Sequence, residues 1–567
     1  MNRKIQILRN KFKKYNIDGY VIPKNDDYFT EYSKINRLKI ISNFSGSAGL
    51  AIVLKNKNYL FTDGRYTIQS QIESGRNFKI ISYEKIINCD LFKNLTLGID
   101  PKLFTYDQIK KFFIKKNKIR FIDNNLIDEI KNEKINDNFP FFSLSKNIVG
   151  ESCNSKLNKI SKYLKKNKSD YLFVSAPENV AWILNIRGKD SPNSPVPNSR
   201  LIISKTKKIF LISKIQKAKK LIKKKIIRLN ELIDINDLPD KILQLKGNNF
   251  IVDNKSCSIY FENIIKSKFK IKKKEDPIYL LKAIKNKTEI KNMIDAHILD
   301  GAALTKFIYW IQNINKKQIS EVQAQIKLEK FRKMNKSYLY PSFDTIAGSG
   351  KNGAIVHYRA KKENCKMINK KDIFLCDSGG QYKYGTTDVT RTICFSKPKK
   401  NIKDIFTKVL KGHIAVANTN LKKDNIGKKI DTRARKFLKK SNLDYSHGTG
   451  HGVGFFLNVH EGPQSISKFN KVKIKEGMIL SNEPGYYKKD SFGIRIENLV
   501  FVKKNNKNIF FENLTLVPIE KELINNKQLT SLEKNYLFKY HINVYSKISK
   551  FLNLKERKWL ASFIQHS

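Results

Sequence analysis

Apolar positions near the start of the chain recur in two rhythms. Ile5, Leu8, Phe12 and Tyr15 follow helical spacing, and Tyr20-Val21-Ile22 closed by Pro23 reads as a short strand. Leu50 to Leu54 and Tyr59-Leu60-Phe61 flank the polar tetrad Lys55-Asn56-Lys57-Asn58, the pattern of a hairpin. The rhythm then restarts. Leu157 to Leu164 fit a helix, Tyr171-Leu172-Phe173-Val174 a strand, and Leu201-Ile202-Ile203 with Ile209 to Ile212 a second hairpin around a basic turn. The openings Asp18-Gly19-Tyr20-Val21-Ile22 and Asp170-Tyr171-Leu172-Phe173-Val174 predict two related α/β units.

The charge run Lys272-Lys273-Lys274-Glu275-Asp276-Pro277, ending in proline, marks a boundary. Beyond it Ile290, Met293, Ile294, His297, Ile298, Gly301, Leu304 and Ile308 trace one face of a long helix, with His297 expected to be packed and hydrogen-bonded. From residue 340 the texture becomes Gly-rich and strand-like. Residues 531–564 return to helical spacing, with Leu532, Tyr536, Tyr540 and Val544 on one face and His541 beside them as a structural residue.

Composition narrows the class. The 567 residues are 40% hydrophobic and include 24 Tyr and 35 Phe, which excludes a mainly disordered chain and leaves room for three or four domains. Six scattered cysteines, with no C-x-x-C pair, read as reduced thiols of a cytosolic protein. Neither a signal-peptide core nor an uninterrupted apolar run of membrane-spanning length is found, so a cytoplasmic protein without a membrane partner is expected. Lys and Arg number 111 against 51 Asp and Glu, a net charge of +60. The lysines are spread end to end in short interrupted runs, so they read as solvated surface rather than as a site for a specific nucleic acid.

The candidate chemistry lies late in the chain. His357, His447, His451 and His460, four of the eight histidines, lie within about a hundred residues of each other. Asp377 follows the buried-strand pattern Ile373-Phe374-Leu375-Cys376, and Asp388 sits in the Thr-rich Gly385-Thr386-Thr387-Asp388-Val389-Thr390-Arg391. Together they predict a strand–turn–strand that sets two aspartates side by side. Glu483 ends the apolar run from Met478, and Glu497 lies in the alternating Gly493-Ile494-Arg495-Ile496-Glu497-Asn498. Carboxylates in a sheet core are costly unless paired or metal-bound. With His451 they make four carboxylates and one imidazole, a set for two borderline-hard divalent ions such as Mn, Co or Zn and not for a thiolate zinc site. His447 and His451 have the i, i+4 spacing of zinc-protease helices, but Gly448, Gly450, Gly452 and Gly454 exclude a helix. No Gly-Lys-Ser/Thr follows, so this is no phosphate loop. The glycines are expected to let backbone approach a substrate, with one histidine serving substrate and the other metal.

These words, with Pro341 to Gly350, Ala354 to Ala360, Val459-His460-Glu461-Gly462-Pro463 and Asn482-Glu483-Pro484-Gly485-Tyr486-Tyr487, resemble in order and spacing the pita-bread metallopeptidases, specifically the aminopeptidase P (Xaa-Pro aminopeptidase) family. Phe44-Ser45-Gly46-Ser47-Ala48-Gly49 and Thr62-Asp63-Gly64-Arg65-Tyr66 are similar to the first domain of its long form. Trp182 to Gly188 are similar to its second, and Trp559-Leu560 to its final helices. The resemblance implies an α+β and α/β architecture. Two creatinase-like N-terminal α/β domains (1–150 and 151–276) would precede a pita-bread catalytic domain (277–515) and a C-terminal helical extension (516–567).

It implies further that Asp377, Asp388, His451, Glu483 and Glu497 bind two metals per subunit, usually manganese, with Asp388 and Glu497 contacting both. His357, His447 and His460 match substrate-side histidines, and Arg495 a supporting arginine. The implied reaction is hydrolysis of the bond between any N-terminal residue and a penultimate proline, by a hydroxide held between the ions. Glu483 would pass the proton to the leaving nitrogen, His460 and His357 would stabilise the oxyanion or anchor the substrate, and His447 would close around the proline ring. A prolidase-like dipeptidase and a non-catalytic peptide-binding relative are the alternatives. The implied assembly is a homodimer formed through the catalytic domain.

Overall fold

The computed structural model describes residues 3–130, 139–314, 318–506 and 508–565. The chain divides into two compact units, one ending at Tyr279 and the other beginning at Leu280.

In the first unit the apolar runs become the central strands of two six-stranded sheets. Strand β1 (Gly19–Pro23) pairs antiparallel with β2 (Leu50–Leu54) and parallel with β5 (Thr96–Ile99). Strands β3 (Asn58–Thr62) and β4 (Lys79–Ser82) extend one side and β6 (Lys118–Phe121) the other. A two-residue ribbon joins β7 (Phe142–Ser143) to β9 (Ile186–Arg187). The second sheet repeats the plan. Strand β8 (Tyr171–Val174) lies between β10 (Arg200–Ser204), antiparallel, and β13 (Asn249–Val252), parallel. Strands β11 (Ile209–Ile212) and β12 (Leu232–Ile233) lie outside β10, and β14 (Lys270–Lys273) outside β13.

The likeness extends to single side chains. Asp18 accepts from the Thr96 backbone N–H at 2.9 Å and pairs with Lys55 at 2.6 Å. Asp170 accepts from the backbone N–H groups of Asn248 (2.8 Å) and Asn249 (3.1 Å) and pairs with Lys205 at 2.7 Å. These bonds hold both aspartates below the usual carboxylate range, against partial burial. The two α/β units read from Asp18 and Asp170 are thus one plan used twice. The charge run at Lys272 is structured, since Lys272 and Lys273 lie in edge strand β14. Lysines there discourage pairing with another chain.

In the second unit the helix Lys287–Asn313 opens with a capping box. Asn286 accepts from the Thr288 and Glu289 backbone N–H groups, and the Glu289 side chain reaches back. Its Leu304, Phe307, Ile308 and Ile311 pack on Phe374, Cys376, Val389 and Ile393 of the sheet formed by β16 (Ile346–Ser349), β17 (Phe374–Ser378) and β20 (Val389–Ile393). Each such fully buried side chain contributes about 1.5–3 kcal/mol. Strands β15 (Tyr338–Pro341), β18 (Gly380–Tyr382) and β19 (Gly385–Thr386) form a second small sheet. Strands β21 (Gly450–Gly452), β22 (Glu461–Ile466), β23 (Ile479–Asn482), β26 (Asn498–Asn505) and β27 (Asn508–Asn513) form a five-stranded one, and β24 (Gly485–Lys488) pairs with β25 (Phe492–Arg495).

His297 is buried, with Nδ1 at 2.7 Å from the Met293 carbonyl. In the helix Ser531–Ile548, Tyr540, Val544 and Ile548 join the core, and His541 Nε2 accepts from the Ile519 N–H. Leu532 does not share that face; at 79% exposure it belongs to the solvent side of the first turn. Among the described residues five lysines also depart from the solvated-surface reading. Lys24, Lys156, Lys217, Lys282 and Lys285 are buried. The six cysteines are free. Among the described residues no helix is long and apolar enough to cross a membrane.

Candidate metal centre

Strands β17 and β20 run antiparallel, with Asp377 opposite Thr390 and Ser378 opposite Val389. The two aspartates are therefore neighbours, as the strand–turn–strand reading requires, although the turn carries an extra hairpin, β18–β19. Gly379 permits this approach: a Cβ there would lie 2.0 Å from the Thr387 carbonyl oxygen. On the facing side His451 sits in β21, so the glycine-rich stretch is a strand and not a helix. Gly450 serves a neighbouring strand, because its Cβ would lie 1.9 Å from the Ser481 carbonyl oxygen. That contact draws β21 against β23, where Glu483 follows Asn482. Glu497 lies between β25 and β26, its backbone N–H bonded to the Thr390 carbonyl at 3.1 Å.

The donor atoms converge in three overlapping groups. Ligand atoms of Asp377, Asp388 and Glu497 lie within 4.8 Å of one another; so do those of His451, Glu483 and Glu497, and those of Asp388, His451 and His460. His451 Nε2 is 3.4 Å from both Asp388 Oδ2 and Glu483 Oε1. Its Nδ1 faces the Gly452 carbonyl at 3.0 Å, which fixes the proton there and leaves Nε2 as the electron-pair donor of the neutral ring. The His460 ring stands edge-on to His451 at 4.3 Å between centroids.

Arg495 ties the carboxylates together. It donates from Nη2 to Asp377 (2.5 Å), from Nη1 to the Tyr487 hydroxyl (2.5 Å) and from Nε to Thr390 Oγ1 (3.0 Å), while Thr390 donates to Glu497 at 2.7 Å. Burial pushes Asp377 up to about 6; Arg495 opposes the rise, and Asp388 and Glu483 add to it. Burial, then Asp388, Glu483 and Asp377, drive Glu497 well above the ordinary carboxyl range. Burial opposes charge on His451, yet Asp388 and Glu483 outweigh it and push the imidazole up to about 9. Glu483 is held below its usual value in spite of burial, chiefly by His451 and His447.

One guanidinium and one imidazolium do not balance four carboxylates in a buried site. Asp377 Oδ1 is buried with no hydrogen-bond partner among the described residues. An oxygen-rich donor set with one imidazole, surplus negative charge and an unsatisfied oxygen fits divalent cations of intermediate hardness. Cation binding would displace the His451 proton.

His357 and His447 belong to none of the three donor groups. His447 is braced between the Gly448 carbonyl, 2.7 Å from Nδ1, and the Tyr487 hydroxyl, 2.9 Å from Nε2. Its ring lies 4.9 Å from Tyr445 and 5.4 Å from Tyr487. Burial holds it down to about 4, so it stays neutral at physiological pH. His357 is half-buried on the loop after the short helical turn Gly350–Ala354. That loop is gathered by Glu321, whose carboxylate accepts from the Ser349 and Lys366 N–H groups, the Asn352 amide and the Tyr358 hydroxyl. Glu461, adjoining His460, is buried between Lys282 (2.6 Å) and Lys285.

Sequence reasoning missed Glu321, Glu461 with its two lysines, and the brace role of Tyr487. Tyr487 and Glu461 carried a signal, by standing in the same short words as Glu483 and His460.

Comparison with known proteins agrees with this geometry. Residues 291–504 match the model of metallopeptidase family M24, and residues 508–566 that of its C-terminal region. Residues 4–128 and 132–289 each match a creatinase/prolidase N-terminal domain. The fold is thus that of a metallopeptidase catalytic domain with paired creatinase-type domains before it in the chain.

A probable Xaa-Pro aminopeptidase P of Coprinopsis cinerea is 35% identical over 99% of this chain and 97% of its own length. Xaa-Pro aminopeptidase 1 of Dictyostelium discoideum is 36% identical over 100% and 96%. The crystal structure of X-prolyl aminopeptidase from Caenorhabditis elegans, described as a cytosolic enzyme with a di-nuclear active site, superposes with a TM-score of 0.92 at 28% identity, covering 100% of this chain and 99% of that one. The chain belongs to metallopeptidase family M24 and, within it, to the Xaa-Pro aminopeptidases.

Proposed function

We propose that this protein is a dinuclear-metal aminopeptidase that releases the N-terminal residue from peptides whose second residue is proline. The observation that carries the reading is the convergence of buried Asp377, Asp388 and Glu497 with half-buried Glu483 and His451, Asp377 Oδ1 having no hydrogen-bond partner among the described residues. These five residues would hold two ions. Asp388, Glu497 and His451 each fall in two of the three donor groups, which favours Asp388 and Glu497 as the residues shared between ions. Four carboxylates and no thiolate favour manganese, with cobalt or zinc as substitutes.

When bound, two divalent ions supply Lewis-acid charge that lowers the pKa of water from about 15.7 towards about 7 and so furnishes hydroxide as the nucleophile. The chain's own groups carry the remaining steps. Glu483, steadied by the Ser481 hydroxyl at 3.0 Å, takes the proton of the attacking water and delivers it to the prolyl nitrogen, which bears no hydrogen of its own. His460 and His357 donate to the developing oxyanion or anchor the substrate, each contributing about 2–4 kcal/mol. His447, kept neutral and flanked by Tyr445 and Tyr487, forms an aromatic wall for the pyrrolidine ring. Arg495 holds Asp377 in place.

The cytosolic description of the Caenorhabditis enzyme supports a cytoplasmic setting. The homodimer rests on the family resemblance alone.

The test is release of arginine from Arg-Pro-Pro by metal-stripped and manganese-loaded protein, with Arg-Ala-Ala and the dipeptide Arg-Pro as controls. Manganese-dependent cleavage of Arg-Pro-Pro alone is expected. Cleavage confined to Arg-Pro would make the protein a dipeptidase, and no cleavage of either with Mn, Co or Zn would leave a binding protein on the same fold.

A further inference from the structure

The helix Lys287–Asn313 buries Glu289 in its N-terminal capping box and a second acidic residue, Asp300, in its middle. Asp300 is 3% exposed, and its two oxygens meet four donors. Oδ1 accepts from Arg332 Nε at 2.7 Å and the Tyr382 hydroxyl at 2.8 Å; Oδ2 accepts from the Thr387 hydroxyl at 2.9 Å and Arg332 Nη2 at 3.3 Å. Arg332 Nη2 also donates to Ser378 Oγ at 3.0 Å. A carboxylate offers about four lone-pair sites, and here each oxygen meets two donors.

The chain positions of those partners matter. Ser378 is the residue after Asp377, and Thr387 is the residue before Asp388. Tyr382 lies in β18, between the two aspartates. Thr387 is itself cross-linked: its hydroxyl accepts from the Gly380 N–H at 2.9 Å, and its carbonyl accepts from Ser342 Oγ at 2.8 Å. One side chain on a long capped helix therefore touches the backbone neighbours of both aspartates, directly at Thr387 and through Arg332 at Ser378.

We propose that Asp300 is the positioning residue of the cation site, setting the separation of Asp377 and Asp388 from behind. The proposal rests on reading those aspartates as metal ligands. Two consequences distinguish Asp300 from a residue that merely stabilises the core. Loss of the Thr387 link frees the Asp388 end of the hairpin while leaving the net charge unchanged. Loss of the Asp300 charge does this and also leaves the Arg332 guanidinium unneutralised behind a site that must attract cations. Cation affinity is the quantity that responds to both.

The experiment is titration of metal-stripped full-length protein with manganese chloride in a calorimeter, beside thermal melting of the same metal-free samples. Wild type is expected to bind two ions. Thr387→Val and Ser378→Ala should weaken the tighter site about tenfold, and Asp300→Asn up to about a hundredfold, the range for groups that orient metal ligands. The metal-free melting temperature of Thr387→Val should stay within a few degrees of wild type.

If Asp300→Asn does not fold, Thr387→Val and Ser378→Ala decide the matter. Unchanged affinity and stoichiometry in those two variants would overturn the positioning role. Failure of wild type itself to bind manganese would instead overturn the metallopeptidase reading on which the proposal rests.

Discussion

Asp18 and Asp170 in the first unit, and Asp377 and Glu497 in the second, are carboxylates set in or beside sheets, with opposite outcomes. The first pair receive backbone N–H groups and a lysine each, and their charge is favoured. The second pair face two further carboxylates, and their charge is disfavoured. The same residue types in similar secondary structure thus end a strand neatly in one place and store repulsion in the other. What differs is the supply of donors. Stored repulsion that a cation can relieve is the physical mark of the site.

Glu483→Gln is the sharpest way to break this contrast. It should leave two metals bound but lower kcat by about 10²–10⁴-fold, the usual worth of a positioned proton carrier. Near-normal turnover with full metal content would remove Glu483 from the proton path.

A smaller effect concerns Asp276, one of the first-unit aspartates, with Asp26, Asp100 and Asp253, that burial pushes up. It is buried and pushed up to about 7, burial outweighing the bonds from the Ile278 N–H and the Asn179 amide. Its folded value is raised, so between the ordinary aspartate value and about 7 the unfolded chain has lost the proton and the folded chain keeps it. Stability therefore falls as pH rises through that window, by up to about 1.4 kcal/mol per pH unit. Asp276→Asn should flatten the fall, read as the wild-type and variant denaturation midpoints at about pH 5 and about pH 8. Parallel pH profiles would show that Asp276 titrates normally.

The smallest effect tests the twin plan itself. Asp18→Ala and Asp170→Ala should each cost about 1 kcal/mol, through orphaned N–H groups, and neither should alter kcat/KM. A large cost at one site and none at the other would mean that the two corners are alike only in outline.

Much of this was legible in the sequence because periodicity reports burial. The strand runs at Tyr20, Leu50, Tyr171 and Leu201 and the helix from Ile290 to Ile308 stand as read. So do the paired aspartates, because an acid beside an unbroken apolar run has few structural explanations. Asp300 was the legible residue overlooked. It lies three residues after His297 and four before Leu304, on the helix face already traced. Glu321, Lys282 and Lys285 left no such trace: each is a lone charge in a lysine-rich chain, and the partner that justifies its burial lies far away in sequence. Leu532 was misplaced because helical spacing does not say where a first turn meets its neighbour. The charge run at Lys272, read as a boundary, gave no sign of β14 because an edge strand tolerates lysine as readily as a loop does.

Two sheets of one topology also give the growing chain two central strands that accept similar neighbours. Each meets its antiparallel partner early, because the shorter loop closes at less entropic cost, and waits for its parallel partner from farther downstream. During that wait β1 and β8 each expose an open edge. Synthesis separates the two intervals, since the first sheet is complete at Phe121 before Tyr171 has been made. Refolding from denaturant removes that separation and lets both open edges compete for β5 and β13, so the order in which the ribosome delivers the strands is itself a safeguard against their exchange.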